Sequence, residues 1–108
     1  MRRLMVQYRV KPDRVGDNEA AVQRVFDELR RAAPAGFRYG VFKLDDGLTF
    51  VHLVSLETAD ARNPLQSLAA FQAFTGTMKD RCDEVPVSRT LSEVASYRLF
   101  NADQFAVH

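Results

Sequence analysis

Apolar side chains recur at every second position from Leu4 to Val10, and this period of two predicts a first strand, closed by Lys11-Pro12. The residues that follow change to a helical period. Asp17 suits the N-cap of a helix, and Pro34 and Gly36 suit its end. The apolar stripe of this amphipathic helix consists of Val22, Val25, Phe26, Leu29 and Ala33.

Two further strands are predicted by the runs Phe37–Leu44 and Leu48–Leu56, which are joined by Asp45-Asp46-Gly47. An Asp-Gly pair between alternating apolar runs is a strong signal for a tight hairpin. Both faces of the second run are substantially apolar, since Val51 and Leu53 alternate with other apolar residues. A sheet with helices on one side and water on the other should alternate more cleanly, so we expect the second face to be covered as well.

A second helix is predicted after Asn63-Pro64, where a capping residue precedes a proline at the first helical position. Gly76 is expected to interrupt this helix on its way to Cys82. The run from Val87 to Phe100 then predicts a last strand, and residues 101–108 are expected to form a loose tail. The apolar stripe of the second helix consists of Leu65, Leu68, Phe71, Phe74 and Met78.

The order of these elements is β-α-β-β-α-β, which predicts an α+β fold of ferredoxin-like topology with two helices on one face of an antiparallel sheet. Residues 1–100 are expected to form one domain, followed by the tail at 101–108. An identical subunit is the simplest cover for the other sheet face, which carries Val51 and Leu53. We therefore expect a homodimer formed through the sheet.

The hairpin Phe42–Phe50 and the segment Ala70–Phe74 resemble those of the dimeric α+β barrel superfamily, and within it the antibiotic-biosynthesis-monooxygenase-like (ABM-like) domains. The resemblance extends from Leu4 to Leu99. It implies a dimeric α+β barrel whose pocket lies between the helices and the concave sheet face of each subunit. Members of the superfamily include cofactor-free monooxygenases, haem-degrading enzymes and small-molecule isomerases.

The sequence departs from this superfamily at two places. Haem-degrading members carry an iron-ligating histidine on the second helix, often just before a phenylalanine that resembles Phe71, but here Ala70 precedes it and residues 64–82 contain no histidine. Many members end the third strand with Glu and Trp, where this chain has Val54 and Leu56. We therefore expect no haem and no other cofactor, and the acidic residues match no known metal loop.

His52 stands in mid-strand, where burial would keep its imidazole neutral near pH 7 and let it act as a catalytic base with Tyr39 as partner. The alternative is a buried histidine that is only hydrogen-bonded to a neighbour. Tyr8, Tyr39 and Tyr97 lie on different predicted strands and could meet at one pocket, although tyrosine is also an ordinary strand residue. The residues expected to contact a ligand, with plain core packing as the alternative, are Tyr8, Phe26, Phe50, Phe71, Phe74 and Met78.

Charge and composition narrow the classes of partner. The net charge of the 108 residues is +1 and the basic residues are spread along the chain, so we expect no nucleic-acid binding. Gly47–Leu53 faintly resembles an RNA-binding strand, but Leu48 replaces the stacking aromatic. No stretch approaches the about 20 apolar residues that span a membrane. Cys82 is the single cysteine, and a lone thiol fits the reducing cytoplasm.

The residues leave two functions open. The first is a homodimeric protein that binds a small apolar or aromatic metabolite in a pocket between helices and sheet. The second is a cofactor-independent monooxygenase or isomerase that acts on such a metabolite, with His52 and a tyrosine moving protons. No catalytic constellation in the sequence is specific enough to choose between them.

Overall fold

A single antiparallel sheet organises the computed structural model, which describes residues 1–99. The first and third strands of the chain lie at the centre of the sheet, with the second strand at the edge beside the third and the fourth at the edge beside the first, which confirms the predicted ferredoxin-like α+β topology. Short 3-10 turns at Pro12–Arg14 and Pro64–Ser67 precede the helices. The elements in chain order are β1 (Arg2–Val10), α1 (Val15–Ala32), β2 (Phe37–Lys43), β3 (Thr49–Leu56), α2 (Ala69–Gly76), α3 (Met78–Arg81) and β4 (Cys82–Leu91).

The pairing of β1 with β3 sets which side chains face the helices. Tyr8 lies opposite Phe50, and Val6 lies opposite His52. Because side chains alternate across a strand, these residues project into the same layer beneath the helices. Tyr8, Phe50 and His52 are all buried there, which places a histidine in the centre of an otherwise apolar row.

The first helix begins three residues earlier than predicted, with Arg14 and not Asp17 at the N-cap position. Asp17 is not its N-cap, because the 3-10 turn at Pro12–Arg14 leads directly into a helix that starts at Val15. Asp17 instead lies in the first turn, where its carboxylate pairs with Arg14 Nε at 3.2 Å. The helix ends at Ala32, and Ala33 adopts a left-handed conformation before Pro34, which cannot continue a helix.

The second helical segment is divided, as the glycine in it predicts. Asn63 accepts a hydrogen bond from Leu65 N at 3.0 Å and so caps the segment, but the turn that it caps is a 3-10 turn. The first α-helical residue is Ala69. The helix stops at Gly76, and the short helix α3 continues the path after Thr77.

The last strand is where the sequence prediction is wrong. It runs over Cys82–Leu91 and not over Val87–Phe100, and residues 92–99 lie in no strand. Pro86 suggests a break by sequence, yet β4 is an edge strand with register irregularities beside this proline, and proline is tolerated at such positions. Val94 alternates like a strand residue but is 99% exposed. The predicted end of the domain at Phe100 and the tail at 101–108 lie outside the described residues.

The sheet face away from the helices is partly apolar. Leu53, Val51 and Met5 on this face are half-buried, whereas Phe42 is 56% exposed and Val87 48% exposed. The strand registers place Phe42 beside Val51, Val51 beside Gln7, and Gln7 beside Val87. An apolar band, interrupted by Gln7 on β1, therefore crosses this face, as the mixed alternation of β3 predicts.

Two turn glycines allow a matched test of packing at the two ends of β2. Gly36 and Gly47 both have left-handed φ values, of 65° and 72°. A Cβ at position 36 would approach Thr58 Cγ2 to 2.8 Å, whereas a Cβ at position 47 meets no atom within 4 Å. We expect Gly36→Ala to lower the free energy of unfolding by about 1–3 kcal/mol more than Gly47→Ala, because only the first adds overpacking to backbone strain. Urea unfolding measures both, and equal losses would contradict this packing.

Candidate functional site

A cavity of about 440 Å³ lies between the sheet and the second helical segment. This volume is within the usual range of small-molecule sites. Most of its wall is apolar and comes from the sheet and from the second helical segment. Lys79 of α3 and Ser88 of β4 are among the polar residues of the wall. The wall also includes the side chains of Tyr8, Tyr39 and His52, so the cavity combines an apolar interior with a cluster of titratable groups.

His52 is held between two tyrosines. Its Nε2 lies 2.8 Å from Tyr8 Oη, and its Nδ1 lies 2.6 Å from Tyr39 Oη. The three residues come from β1, β2 and β3, and strand pairing brings them together. His52 is 5% exposed and Tyr8 is 2% exposed, whereas Tyr39 is only half-buried. The two ring nitrogens are therefore both used, and the outer member of the cluster is Tyr39.

Burial keeps all three groups uncharged near neutral pH. Desolvation lowers the pKa of His52 to about 4, because the imidazolium form loses its hydration in the core. Desolvation also raises the pKa of Tyr8 and of Tyr39 well above the usual phenol value. The neutral imidazole has one N–H donor and one acceptor nitrogen, so it donates a hydrogen bond to one phenol and accepts a hydrogen bond from the other.

Further polar groups support Tyr8 from behind. Asn18, which is fully buried on α1, donates from Nδ2 to Tyr8 Oη at 2.9 Å. Arg81 at the end of α3 donates from Nε to Asn18 Oδ1 at 3.1 Å and from Nη2 to Phe74 O at 2.9 Å. Its Nη1 donates to Thr77 Oγ1, and its guanidinium lies 5.0 Å from the centre of the Phe74 ring. These contacts hold a 4% exposed cation close to the cavity.

Of the six residues that the sequence predicts to contact a ligand, four line this cavity and two lie elsewhere. Tyr8, Phe71, Phe74 and Met78 line it. Phe50 is buried, stacks on Tyr8 at 5.7 Å between ring centres, and borders a groove under α1.

Phe26 also lies on the α1 side. It stacks on Tyr39 at 4.9 Å and lines a separate groove of about 250 Å³. Phe50 and Phe26 both fall outside the cavity because α1 and the second helical segment cover different parts of the sheet. Phe26 therefore acts at the cavity only by supporting the ring of Tyr39.

Several other polar or reactive side chains do not join the cluster. Tyr97 is 76% exposed outside the strands, and Arg98 stacks on its ring. Arg9 pairs with Glu84 at 3.1 Å on the surface. Cys82 is buried, and desolvation raises the pKa of its thiol, so this thiol is not activated as a nucleophile.

Asn18 and Arg81 are the functional candidates that sequence reasoning missed. A signal was present, because Asn18 lies four residues before Val22 on the buried stripe of α1, and Arg81 lies three residues after Met78 on the stripe of the second segment. A polar residue on an apolar stripe needs a buried partner. The sequence alone does not say that these two residues are partners of each other.

Within residues 1–99 the structure offers neither a metal centre nor a membrane span. No group of three or more histidine, cysteine, aspartate or glutamate side chains in this part of the chain is placed to hold a metal ion. No helix in the same range is long and apolar enough to cross a membrane.

Comparison with known proteins relates the chain to one fold. No family model and no curated protein matches the sequence. Among solved structures, an antibiotic biosynthesis monooxygenase superposes with a TM-score of 0.73 at 14% identity, over 88% of this chain and all of that one. A protein from Mycobacterium tuberculosis gives a TM-score of 0.72 at 14% identity, over 88% of this chain and 96% of that one.

A third similar structure is a variant of SnoaB, described as a cofactor-independent oxygenase from Streptomyces nogalater. It gives a TM-score of 0.67 at 12% identity, over 91% of this chain and 97% of that one. Identities this low establish the fold and not the activity. The chain therefore has the fold of the antibiotic biosynthesis monooxygenase proteins, as the sequence resemblance implies.

Proposed function

We propose that this protein binds a small apolar or aromatic metabolite in the cavity beside His52. The observation that carries the proposal is an apolar space of about 440 Å³ with a hydrogen-bonding cluster on one wall. Sites for small molecules commonly combine such a wall with a few convergent polar groups. Phe71, Phe74 and Met78 supply the apolar surface, and Tyr39 supplies the polar contact.

The shape of the aromatic lining favours a flat ligand. Phe71 and Phe74 stack with ring centres 6.2 Å apart, and Phe74 lies 5.6 Å from the His52 ring. Faces of aromatic rings attract one another in offset arrangements, so a ring system has several partners here. The buried Phe50 and the Tyr39-stacked Phe26 act on the ligand only through the tyrosines that they support.

A cofactor-independent monooxygenase or isomerase is the second candidate function. It is favoured by the neutral imidazole that contacts two phenols beside the cavity, because proton transfer needs a positioned donor or acceptor within hydrogen-bond reach. In this hypothesis His52 and Tyr39 are the catalytic residues. The fold shared with SnoaB supports it by analogy only.

Binding and turnover can be separated with bicyclic aromatic probes such as 1-tetralone and 1-naphthol. Calorimetric titration should detect binding to the wild type. Ser88→Phe should weaken binding by at least about tenfold, because the added ring fills part of the cavity. Val94→Phe is the control, since Val94 is almost fully exposed outside the strands and does not line the cavity. Absence of binding to the wild type, or equal binding by both variants, would contradict the proposal.

Oxygen uptake during incubation with 1-naphthol distinguishes the two functions. Binding without oxygen consumption or product supports the binding protein. Turnover that is lost in His52→Gln, with binding retained, supports the enzyme.

We also propose that two copies of the chain associate through the helix-free sheet face. Phe42 and Val87 are large apolar side chains exposed on this face, and Val51 and Gln7 lie between them. At one end of the same face Arg3 and Arg38 pair with Glu57, so the apolar band is bounded by charge. A bounded apolar patch on a sheet is typical of a protein interface, and a second copy offers the complementary surface.

Solution mass tests the association. At micromolar concentration we expect sedimentation equilibrium to give twice the 12.2 kDa mass of one chain. Phe42→Glu should shift the equilibrium toward the single chain by at least about tenfold, because a charge would be buried in the interface. Val94→Glu, at an almost fully exposed position outside the strands, should leave it unchanged. A wild-type mass of one chain would rule out the dimer.

The buried imidazole predicts an acid-sensitive fold. The pKa of His52 is about 4 in the folded state and near 6.5 for an imidazole in water, so between these values the unfolded state binds more protons. The free energy of unfolding should therefore fall as the pH drops from 6.5 to 4, by roughly 3 kcal/mol in total from this group. Below pH 4 this contribution ends. Denaturant unfolding at several pH values measures it.

His52→Gln is the control for acid sensitivity, because it lacks the titrating group while other side chains remain. The difference in stability between wild type and variant should shrink as the pH falls through this window. A constant difference would show that the pKa of His52 is the same in the folded and unfolded states, which would contradict the prediction. We also propose that the protein works in a reducing cytoplasm, because Cys82 is a free and buried thiol.

A further inference from the structure

A continuous series of hydrogen bonds joins the buried cation to the cavity. It runs from Arg81 Nε to Asn18 Oδ1, from Asn18 Nδ2 to Tyr8 Oη, and then through both nitrogens of His52 to Tyr39 Oη. Four elements, β1, β2, β3 and α1, contribute one residue each, and α3 contributes Arg81. Because each member has a limited set of donors and acceptors, the direction of every bond in this series can be worked out.

The direction is set at the cation. A guanidinium only donates hydrogen bonds, so the carboxamide oxygen of Asn18 must face Arg81. The amide nitrogen of Asn18 then faces Tyr8 and donates to its hydroxyl oxygen. The orientation of this amide is therefore determined by Arg81, and an amide turned the other way would place two donors against each other.

Tyr8 transmits this direction to the histidine. Its hydroxyl oxygen contacts two groups among the described residues, Asn18 Nδ2 and His52 Nε2. Since the first can only donate, His52 Nε2 is the acceptor for the hydroxyl hydrogen. The opposite arrangement would leave a buried hydroxyl hydrogen without a protein acceptor, which is unfavourable in a side chain that is 2% exposed.

The remaining step fixes the role of Tyr39. With Nε2 accepting from Tyr8, the imidazole hydrogen is on Nδ1 and is donated to Tyr39 Oη at 2.6 Å. The hydroxyl hydrogen of Tyr39 then has no acceptor in this series. Tyr39 lines the cavity and is only half-buried, so this hydrogen is available to a molecule inside it.

We propose that Arg81 and Asn18 are positioning residues that hold the series in one direction, so that Tyr39 offers a hydrogen-bond donor and the ligand must present an acceptor oxygen, such as a carbonyl or phenolate. This inference rests on the binding function proposed above and names its ligand class. It also assigns a role to the cluster in any chemistry at the site: the cluster supplies a hydrogen bond to an oxygen and is not poised to remove a proton.

The positive charge of the buried guanidinium favours the same class of ligand. Arg81 is 4% exposed, and no carboxylate lies within ion-pair distance of it among residues 1–99. An uncompensated positive charge in a low-dielectric region favours negative charge nearby. The guanidinium packs against the ring of Phe74, and that ring lines the cavity, so the field of the cation reaches the ligand without a direct contact.

Substitution of Asn18 by aspartate should reverse the series. The carboxylate of Asn18→Asp would still accept from Arg81, but it would also accept from Tyr8, whose hydrogen would then turn away from His52. The imidazole hydrogen would move to Nε2, and Tyr39 would donate to Nδ1. Tyr39 would then offer only a lone pair to the cavity. The shape of the site changes little, because the two side chains are nearly isosteric.

Nitrogen-15 NMR shows directly which ring nitrogen of His52 carries the hydrogen, since protonated and unprotonated ring nitrogens resonate far apart. We expect hydrogen on Nδ1 in the wild type and on Nε2 in Asn18→Asp at pH 7. Asn63→Asp makes the same chemical change at the cavity rim without touching the series, so its His52 should match the wild type. The wild-type measurement needs no variant to fold, and hydrogen on Nε2 there would overturn the proposal.

Ligand preference provides the second readout. The wild type should bind 1-tetralone roughly tenfold more tightly than 1,2,3,4-tetrahydronaphthalene, which has the same rings and no acceptor. This ratio should fall to near one in Tyr39→Phe and in Asn18→Asp. An unchanged ratio in both variants would overturn the ligand class. Hydrogen on Nδ1 with no binding of either probe would support the positioning role and overturn the binding function.

Discussion

The burial of one imidazole in an apolar layer is the constraint that determines which polar side chains surround it in the core. Period-two alternation along β3 places His52 in the same row as Phe50 and Val54, under the helices. An unpaired polar ring there would destabilise the fold, so both nitrogens need partners. Neighbouring strands supply them as Tyr39 and Tyr8, and Tyr8 in turn needs Asn18. The same groups that satisfy the histidine form the polar wall of the cavity.

Local patterns predict much of this architecture and one half of the site. The β2–β3 hairpin follows from its Asp-Gly turn, where Asp46 accepts hydrogen bonds from the backbone of Leu48 and Thr49. The sequence also suggests a contact between His52 and Tyr39, because the two lie on neighbouring strands of the predicted hairpin. The last strand is predicted too late in the chain, because residues 94–99 alternate as a strand does. Alternation reports a period, and it does not say whether a partner strand exists to pair with.

Asn18 and Arg81 show why the other half of the site is not readable from local sequence. They are 63 residues apart, and each is ordinary by itself: an asparagine in the first turns of a helix and an arginine at the end of one. Helical spacing does place each on a buried stripe, but the stripe cannot name the partner. The pairing of Asn18 with Arg81 is determined only when α1 and α3 pack on the same sheet. Phe26 and Phe50 illustrate the same limit, since their spacing indicates burial but not which helix covers them.

The wide sequence separation between β1 and β4 has a consequence for folding kinetics. The β2–β3 hairpin is local, whereas Leu4 pairs with Thr90 and Val6 with Ser88, near the opposite end of the described chain. Distant contacts carry the larger loop-closure entropy, so we expect the edge strand β4 to pair late in folding. Val85, Pro86 and Ser88 of that strand form one wall of the cavity. We therefore expect the proposed binding site to be completed only after the folding barrier, so that a bound molecule would stabilise the protein by slowing its unfolding rather than by speeding its folding.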